Sequence, residues 1–275
     1  MLQVRILTVG DSLRNEDLIS DIVKFIPISN IKIVSGFDGT KVNFSNDPRI
    51  GKTQNINIIG RDLTSPEVAC LLGHHHIYLE KSSDWFLVLE DDASLSDLLS
   101  FGKFLEYIYS SHFTGPNIIS LFEGRNRLRT LRSFFHLDSP EINRLLVPST
   151  GTVAYLINEE ARHLAGRQSV LFGTADWPTW VLKCKFYESK NFLFKSKEVT
   201  SSLIVPAIPK EYSKMLPKYL RSKRQMIMNA FNRDLINAFG GFTYYFRNTF
   251  PKFLAQIYLF RLINHLSDKV FKGSQ

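Results

Sequence analysis

The chain has 275 residues, 44% hydrophobic and 22% charged, with a formal net charge of +8. That is globular composition, which excludes a disordered or fibrous protein, and two cysteines exclude a disulfide framework. Cys70 and Cys184 both lie in apolar surroundings, so a reducing compartment is expected, and no apolar run is long enough to span a bilayer.

Gln3 to Val9 read as a first strand, without the basic start and apolar core of a signal peptide. Asn15 to Phe25 follow as a helix with Leu18, Ile19, Ile22 and Val23 on its apolar face. Ile31 to Val34 form a short second strand that ends in the turn Ser35-Gly36-Phe37-Asp38-Gly39. Residues 41–62 are polar and irregular and read as a loop. Thr64 or Ser65 caps a helix that opens with Pro66 and Glu67 and runs to about Lys81. An apolar strand then runs from Trp85 into Glu90, Asp91 and Asp92, and a helix is expected from Leu95 to Tyr109. Pro116 to Phe122 and Thr152 to Ile157 are two more strands, the second followed by a helix over Asn158 to Ala165. Alternating strands and helices imply an α/β fold with a mainly parallel sheet flanked by helices.

The carboxylate triplet is the most informative feature. Three acids at the end of a buried strand cannot all stay buried and ionised without a counter-charge. Exposure at the strand's carboxyl edge, where open α/β sheets bind ligands, relieves this, as does a bound divalent cation. The competing reading is that Asp91 or Asp92 caps the helix that follows.

Three other segments stand out. On the helix from Pro66, Glu67 and His74 are seven residues apart and share a face. They point an acid and an imidazole into one cleft, or else Glu67 serves the helix dipole and His74 packs in the core. Gly151 to Ile157 is a strand entered through a glycine, read as scaffold with Gly151 permitting close approach of a ligand. Asp176 lies between Gly173-Thr174 and Trp177-Pro178, as a positioned carboxylate or as a helix N-cap. Arg125, Arg127, Arg129 and Arg132 are either phosphate contacts or a solvated loop.

The excess positive charge is confined to the last quarter. Residues 206–275 hold 12 Lys and Arg against three acids, a net +9, while residues 1–205 are close to neutral at −1. The same segment carries Phe242, Tyr244, Tyr245, Phe246, Phe250, Phe253, Tyr258 and Phe260. Basic residues among aromatics suit an anionic membrane surface, the alternative being a helical subdomain packed on the main body. No recognition motif points to nucleic acid. The expected division is therefore a domain over 1–205 and a basic, aromatic-rich helical region over 206–275.

Taken in order, Pro66-Glu67-x-x-Cys70-x-x-x-His74, Leu89-Glu90-Asp91-Asp92, the Gly151-Thr152-x-Ala154-Tyr155-Leu156-Ile157 strand and Asp176 resemble the family 25 glycosyltransferases. That family includes bacterial lipooligosaccharide galactosyltransferases and collagen galactosyltransferases. The resemblance runs over about residues 3–190. Ala69 stands where the family commonly has Gly, Gly73 where it has Ser, and only Asp11-Ser12-Leu13-Arg14 is similar to its N-terminal donor segment.

The resemblance implies a GT-A-like, Rossmann-like fold and a UDP-hexose donor such as UDP-galactose. It also implies inversion at the anomeric carbon and a divalent cofactor, manganese or magnesium. Glu90 to Asp92 then take the place of the metal-binding Asp-x-Asp motif. Asp92 coordinates the ion directly, and Glu90 supports it through a water or the donor's ribose. Val9, Gly10, Asp38, Gly39, Glu90 and Asp91 are the expected donor-binding positions. An inverting displacement needs a base on the face opposite the leaving group, and so not a metal ligand. Asp176 is the first candidate and Glu67 the second, with His74 orienting. The implied acceptor is a lipid-linked oligosaccharide, with the enzyme on the inner face of a bacterial cytoplasmic membrane, held there by its basic tail. The alternatives are a transferase acting on protein, or a catalytically silent relative that binds sugar or membrane.

Overall fold

A computed structural model describes residues 2–9, 15–44, 46–59, 61–122, 141–145, 151–175 and 179–197. Gly10, the Asp11–Arg14 segment, the arginines at 125, 127, 129 and 132, Asp176 and all of 206–275 lie outside the described residues.

Among the described residues the main sheet has seven strands, in the order β2-β1-β3-β7-β5-β8-β6. They are β1 (Leu2–Thr8), β2 (Ile31–Ser35), β3 (Trp85–Glu90), β5 (Asn117–Ser120), β6 (Ile142–Leu145), β7 (Ala154–Ile157) and β8 (Lys185–Ser189). β1 pairs in parallel with β2 and β3, and β5 with β8. β7 is inserted antiparallel between β3 and β5, and β6 closes the far edge antiparallel to β8. The sheet is mixed and mostly parallel. A second, two-stranded sheet joins β4 (Ala93–Leu95) to β9 (Phe194–Ser196) in antiparallel register.

Strand periodicity of two sorts the central residues onto two faces. Val4, Ile6, Leu87, Leu89, Ile119, Ala154 and Leu156 belong to one core, shared with Leu18 and Ile22 of α1 (Glu16–Ile22) and Phe101, Phe104 and Leu105 of α4 (Leu98–Ser110). Leu7, Phe86, Val88, Ile118, Tyr155 and Ile157 face the other way. They pack on Ile77 and Tyr78 of α3 (Ser65–Tyr78) and on Ala161 and Ala165 of α5 (Glu159–Gly166). Burial on both faces is why these strands read as unbroken apolar runs. A third core covers the outer side of α3, where Val68, Leu71 and Leu72 meet Phe44, Ile50, Leu63 and Leu171.

Several boundaries differ from expectation. The 41–62 segment is not all loop, because α2 (Lys52–Ile59) lies within it. Its buried Asn55 accepts a hydrogen bond from the Gly173 backbone N–H at 2.8 Å, a tertiary contact that local periodicity does not announce. The first helix ends at Ile22 rather than Phe25, and α3 ends at Tyr78 rather than Lys81. The helix after the carboxylates starts three residues late, because Ala93 to Leu95 pair with β9. Its cap is Asp97, which accepts from Leu99 N, so neither Asp91 nor Asp92 caps it.

Candidate functional site

The parallel strands β1, β2 and β3 end at one edge of the sheet, with Leu7 beside Glu90 and Thr8 beside Ser35. Because β7 runs the opposite way, its entry and not its exit lies at that edge. Leu89 pairs with Ala154, and the Glu90 N–H donates to Val153 O at 2.9 Å. The edge therefore gathers Val9, Glu90, Asp91, Asp92 and Thr152.

Each acid has a different environment. Glu90 has the same parity as Phe86 and Val88, so its side chain lies on the α3 side. There Glu90 Oε1 meets His74 Nε2 at 3.1 Å and accepts from the Thr152 hydroxyl at 2.5 Å. Burial pushes the Glu90 carboxyl up, but the bonds from His74 and Thr152 outweigh it and hold it below the usual range. The other ring nitrogen of His74, Nδ1, lies 2.9 Å from the Tyr155 hydroxyl, which meets the Tyr78 hydroxyl at 2.7 Å. His74 and both tyrosines are buried, and burial pushes both phenols well above their ordinary value.

Asp91 turns back onto β1. Its Oδ2 accepts from the Val9 N–H at 3.1 Å and the Thr8 hydroxyl at 3.3 Å. Asp91 thus clamps the ends of two neighbouring strands.

Asp92 faces β9. Its Oδ2 accepts from the Ser196 hydroxyl at 2.5 Å, and its carbonyl accepts from Lys197 N at 2.7 Å. Its Oδ1 is buried and has no hydrogen-bond partner among the described residues. Burial, with the charges of Glu90 and Asp91 alongside, outweighs the Ser196 bond and raises the Asp92 carboxyl above its ordinary value. Glu90 and Asp92 therefore diverge: one is stabilised as an anion, the other is a buried anion short of positive charge.

Glu67 is fully engaged. Its carboxylate pairs with both terminal nitrogens of Arg61 at 2.6 and 2.5 Å and accepts from Thr64 N and Oγ1 at 2.9 and 3.0 Å. Burial raises its carboxyl, but Arg61 and Thr64 bring it below the usual range. Glu67 closes the α3 capping box and His74 serves Glu90, so the two shared-face residues hold different partners.

Asp38 stands after β2, and its carboxylate is taken up by the Thr40 hydroxyl, the Thr40 N–H and Lys41, which lower its pKa to about 2. Gly39 is required by close approach, since a Cβ there would lie 2.4 Å from Pro66 Cα. The Asp38-Gly39 turn is therefore seated against the start of α3. Gly151 has φ +95° and packs under Phe122, where a Cβ would lie 2.6 Å from the ring.

Thr152, Tyr155, Tyr78, Arg61 and Ser196 were not singled out as functional from sequence. Thr152 and Tyr155 lie within the Gly151 motif but read there as scaffold. Ser196 carries no local signal, because only the pairing of β4 with β9 brings it to Asp92.

Among solved structures, the chain is similar to S. aureus TarS in complex with UDP-GlcNAc, with 12% sequence identity and a TM-score of 0.41. That alignment covers 82% of this chain and 66% of the TarS chain, just under two thirds of it. No curated protein matches the chain significantly. Residues 26–167, just over half the chain, match the family described as glycosyltransferase family 25 (LPS biosynthesis protein). This match spans α3 with Glu67 and His74, the Glu90-Asp91-Asp92 edge and Thr152 with the β7 strand after it, and the chain belongs to glycosyltransferase family 25.

Proposed function

We propose that this glycosyltransferase moves a hexose, galactose being the first choice, from a UDP-sugar to a lipid-linked oligosaccharide of the lipopolysaccharide type. The transfer proceeds with inversion and with a divalent cation, manganese or magnesium, held at Asp92. The observation that carries this reading is Asp92 Oδ1, a buried carboxylate oxygen with no hydrogen-bond partner among the described residues. Such an atom in a cluster of three acids suits a hard cation with oxygen ligands. When bound there, the ion would offset the negative charge that grows on the departing diphosphate.

The chain's own residues divide the remaining work. Ser196 holds Asp92 Oδ2, leaving Oδ1 for the ion. His74 and Thr152 hold Glu90 as an oriented anion, ready for the ion's water shell or the donor's ribose. Asp91 braces the Val9 end of β1, and Val9, Gly10, Asp38 and Gly39 are the positions assigned to donor binding. Asp176 is the base that takes the acceptor hydroxyl's proton, since Glu67 is committed to Arg61 and Thr64. The basic, aromatic segment 206–275 attaches the enzyme to the anionic inner leaflet, where lipid-linked acceptors reside. Among the described residues no helix is long and apolar enough to cross a membrane.

The test is turnover of the purified chain against a panel of UDP-sugars with manganese, repeated after EDTA. One donor should dominate and EDTA should abolish its use. Transfer indifferent to EDTA removes the cation from the reaction, and no use of any UDP-sugar removes the donor class. Flotation with anionic vesicles, before and after truncation beyond Ile204, tests the tail; a truncated chain that still floats refutes it as the anchor.

A further inference from the structure

Cys70, His74 and Glu90 present one sulfur, one ring nitrogen and one carboxylate oxygen that all lie within 4.8 Å of one another. Cys70 and His74 are four residues apart on α3 and so stack on one face of the helix. The parity of β3 brings Glu90 to the same place. This set differs in kind from Asp92. Asp92 offers oxygen only, which suits manganese or magnesium, whereas a thiolate, an imidazole and a carboxylate together suit zinc.

His74 already has the hydrogen-bonding of a ligating histidine. Nε2 faces the cluster, and Nδ1 is held by Tyr155, itself held by Tyr78. Such an outer bond fixes the ring's orientation. Each tyrosine hydroxyl can donate or accept, so the pair suits either tautomer of the imidazole. Thr152 gives Glu90 the corresponding outer bond. Cys70 and Glu90 are only partly buried, which gives an ion a way in.

We infer that Cys70, His74 and Glu90 form a zinc site whose occupation draws Glu90 out of donor binding and reversibly switches the transferase off. The switching rests on the role proposed above for Glu90; the zinc binding does not. On binding, the Cys70 thiol gives its proton to solvent. The His74 ring proton moves from Nε2, where it is donated to Glu90, to Nδ1, where it is donated to Tyr155, and the freed Nε2 coordinates the ion. Glu90 exchanges the His74 contact for the ion. Three protein ligands leave the fourth tetrahedral position to water. One proton is released per ion, from the thiol.

The experiment titrates zinc into the full chain with manganese present, counts bound zinc by elemental analysis, and substitutes cobalt(II) to look for a thiolate-to-cobalt charge-transfer band. Wild type should bind one zinc, show the band and lose turnover. Cys70→Ser should weaken zinc binding by more than about tenfold, lose the band and keep its manganese-supported turnover in zinc. Asp92→Asn should still bind zinc and show the band, which separates this site from the proposed manganese site even if the donor reading fails. Equal zinc binding by wild type and Cys70→Ser overturns the site. Zinc bound with the band but without loss of turnover overturns the switch, as does inhibition relieved by excess manganese, which would place the inhibiting ion at Asp92.

Discussion

Ser196 donates its hydroxyl to Asp92 Oδ2 at 2.5 Å across 104 residues of chain. The short β4–β9 ladder that pairs Ala93 with Ser196 holds the two together. One oxygen of Asp92 is thereby fixed, and the other is left buried beside two like charges. Asp92→Asn should reduce metal-supported turnover by on the order of 10²–10³. The metal-free variant should melt no lower than wild type, since a repelled buried charge is removed. The rise in melting temperature on adding manganese should vanish. A manganese-induced rise equal to that of wild type would show that Asp92 does not hold the ion.

His74 touches Glu90, not the reacting groups, so its replacement should act through Glu90's position. His74→Phe is expected to lower turnover by about 10–100-fold, as loss of an outer-shell partner does elsewhere. Tyr155→Phe, which strips the other ring nitrogen of its partner, should lose less turnover and reduce stability by about 1–3 kcal/mol. Steady-state kinetics with circular dichroism separates the two effects. Unchanged turnover in a folded His74→Phe chain would show that the catalytic position of Glu90 does not depend on His74.

The Arg61–Glu67 pair gives a pH signature. The Glu67 carboxyl lies below the usual range in the fold, so the unfolded chain binds its proton at higher pH than the folded chain does. Between the two pKa values the unfolded state holds more protons, so stability rises with pH. The contribution is fully present above the ordinary glutamate value of 4.5 and is lost as pH falls through the folded value. Glu67→Gln should flatten this part of the stability curve in acid denaturant titrations. Arg61→Ala, which leaves a buried carboxylate unpaired, should cost about 3–5 kcal/mol.

Gly151 sits at φ +95° directly before Thr152. Gly151→Ala brings both left-handed strain and a contact with the Phe122 ring. It should destabilise by about 1–3 kcal/mol and lower turnover as Thr152 is displaced from Glu90. Chemical denaturation and kinetics measure the two. Equal stability and turnover would mean that the loop absorbs the methyl without moving Thr152.

Asp176→Asn separates chemistry from binding. Loss of a general base should lower turnover by about 10²–10⁴ while calorimetric binding of the UDP-sugar persists. The same loss in Glu67→Gln, corrected for its folded fraction, with normal turnover in Asp176→Asn, would move the base to Glu67.

Much of the fold was legible because its signals are local. An apolar run buried on both faces reads as a strand whatever surrounds it, as Trp85 to Leu89 did and Thr152 to Ile157 did from Ala154 onward. Thr64, Pro66 and Glu67 announce a helix start through backbone donors that any helix leaves open. α2 was missed because its alternating polar residues carry no apolar stripe, and Asn55, its tie to Gly173, bonds 118 residues away. The delayed start of α4 was missed because β4 exists only through its pairing with β9.

The sequence by itself determined the α/β class, the acidic strand end, the Glu67 cap and the ordered motifs of family 25. All of these follow from residue type and short spacing. Only the tertiary structure decided how the three acids differ. Strand parity turns Glu90 toward α3. The antiparallel insertion of β7 brings Thr152 and Tyr155 to Glu90 and His74. β1 satisfies Asp91, and β9 binds one oxygen of Asp92 while burying the other. A carboxylate's character depends on what surrounds it, and here those partners come from strands up to 104 residues away.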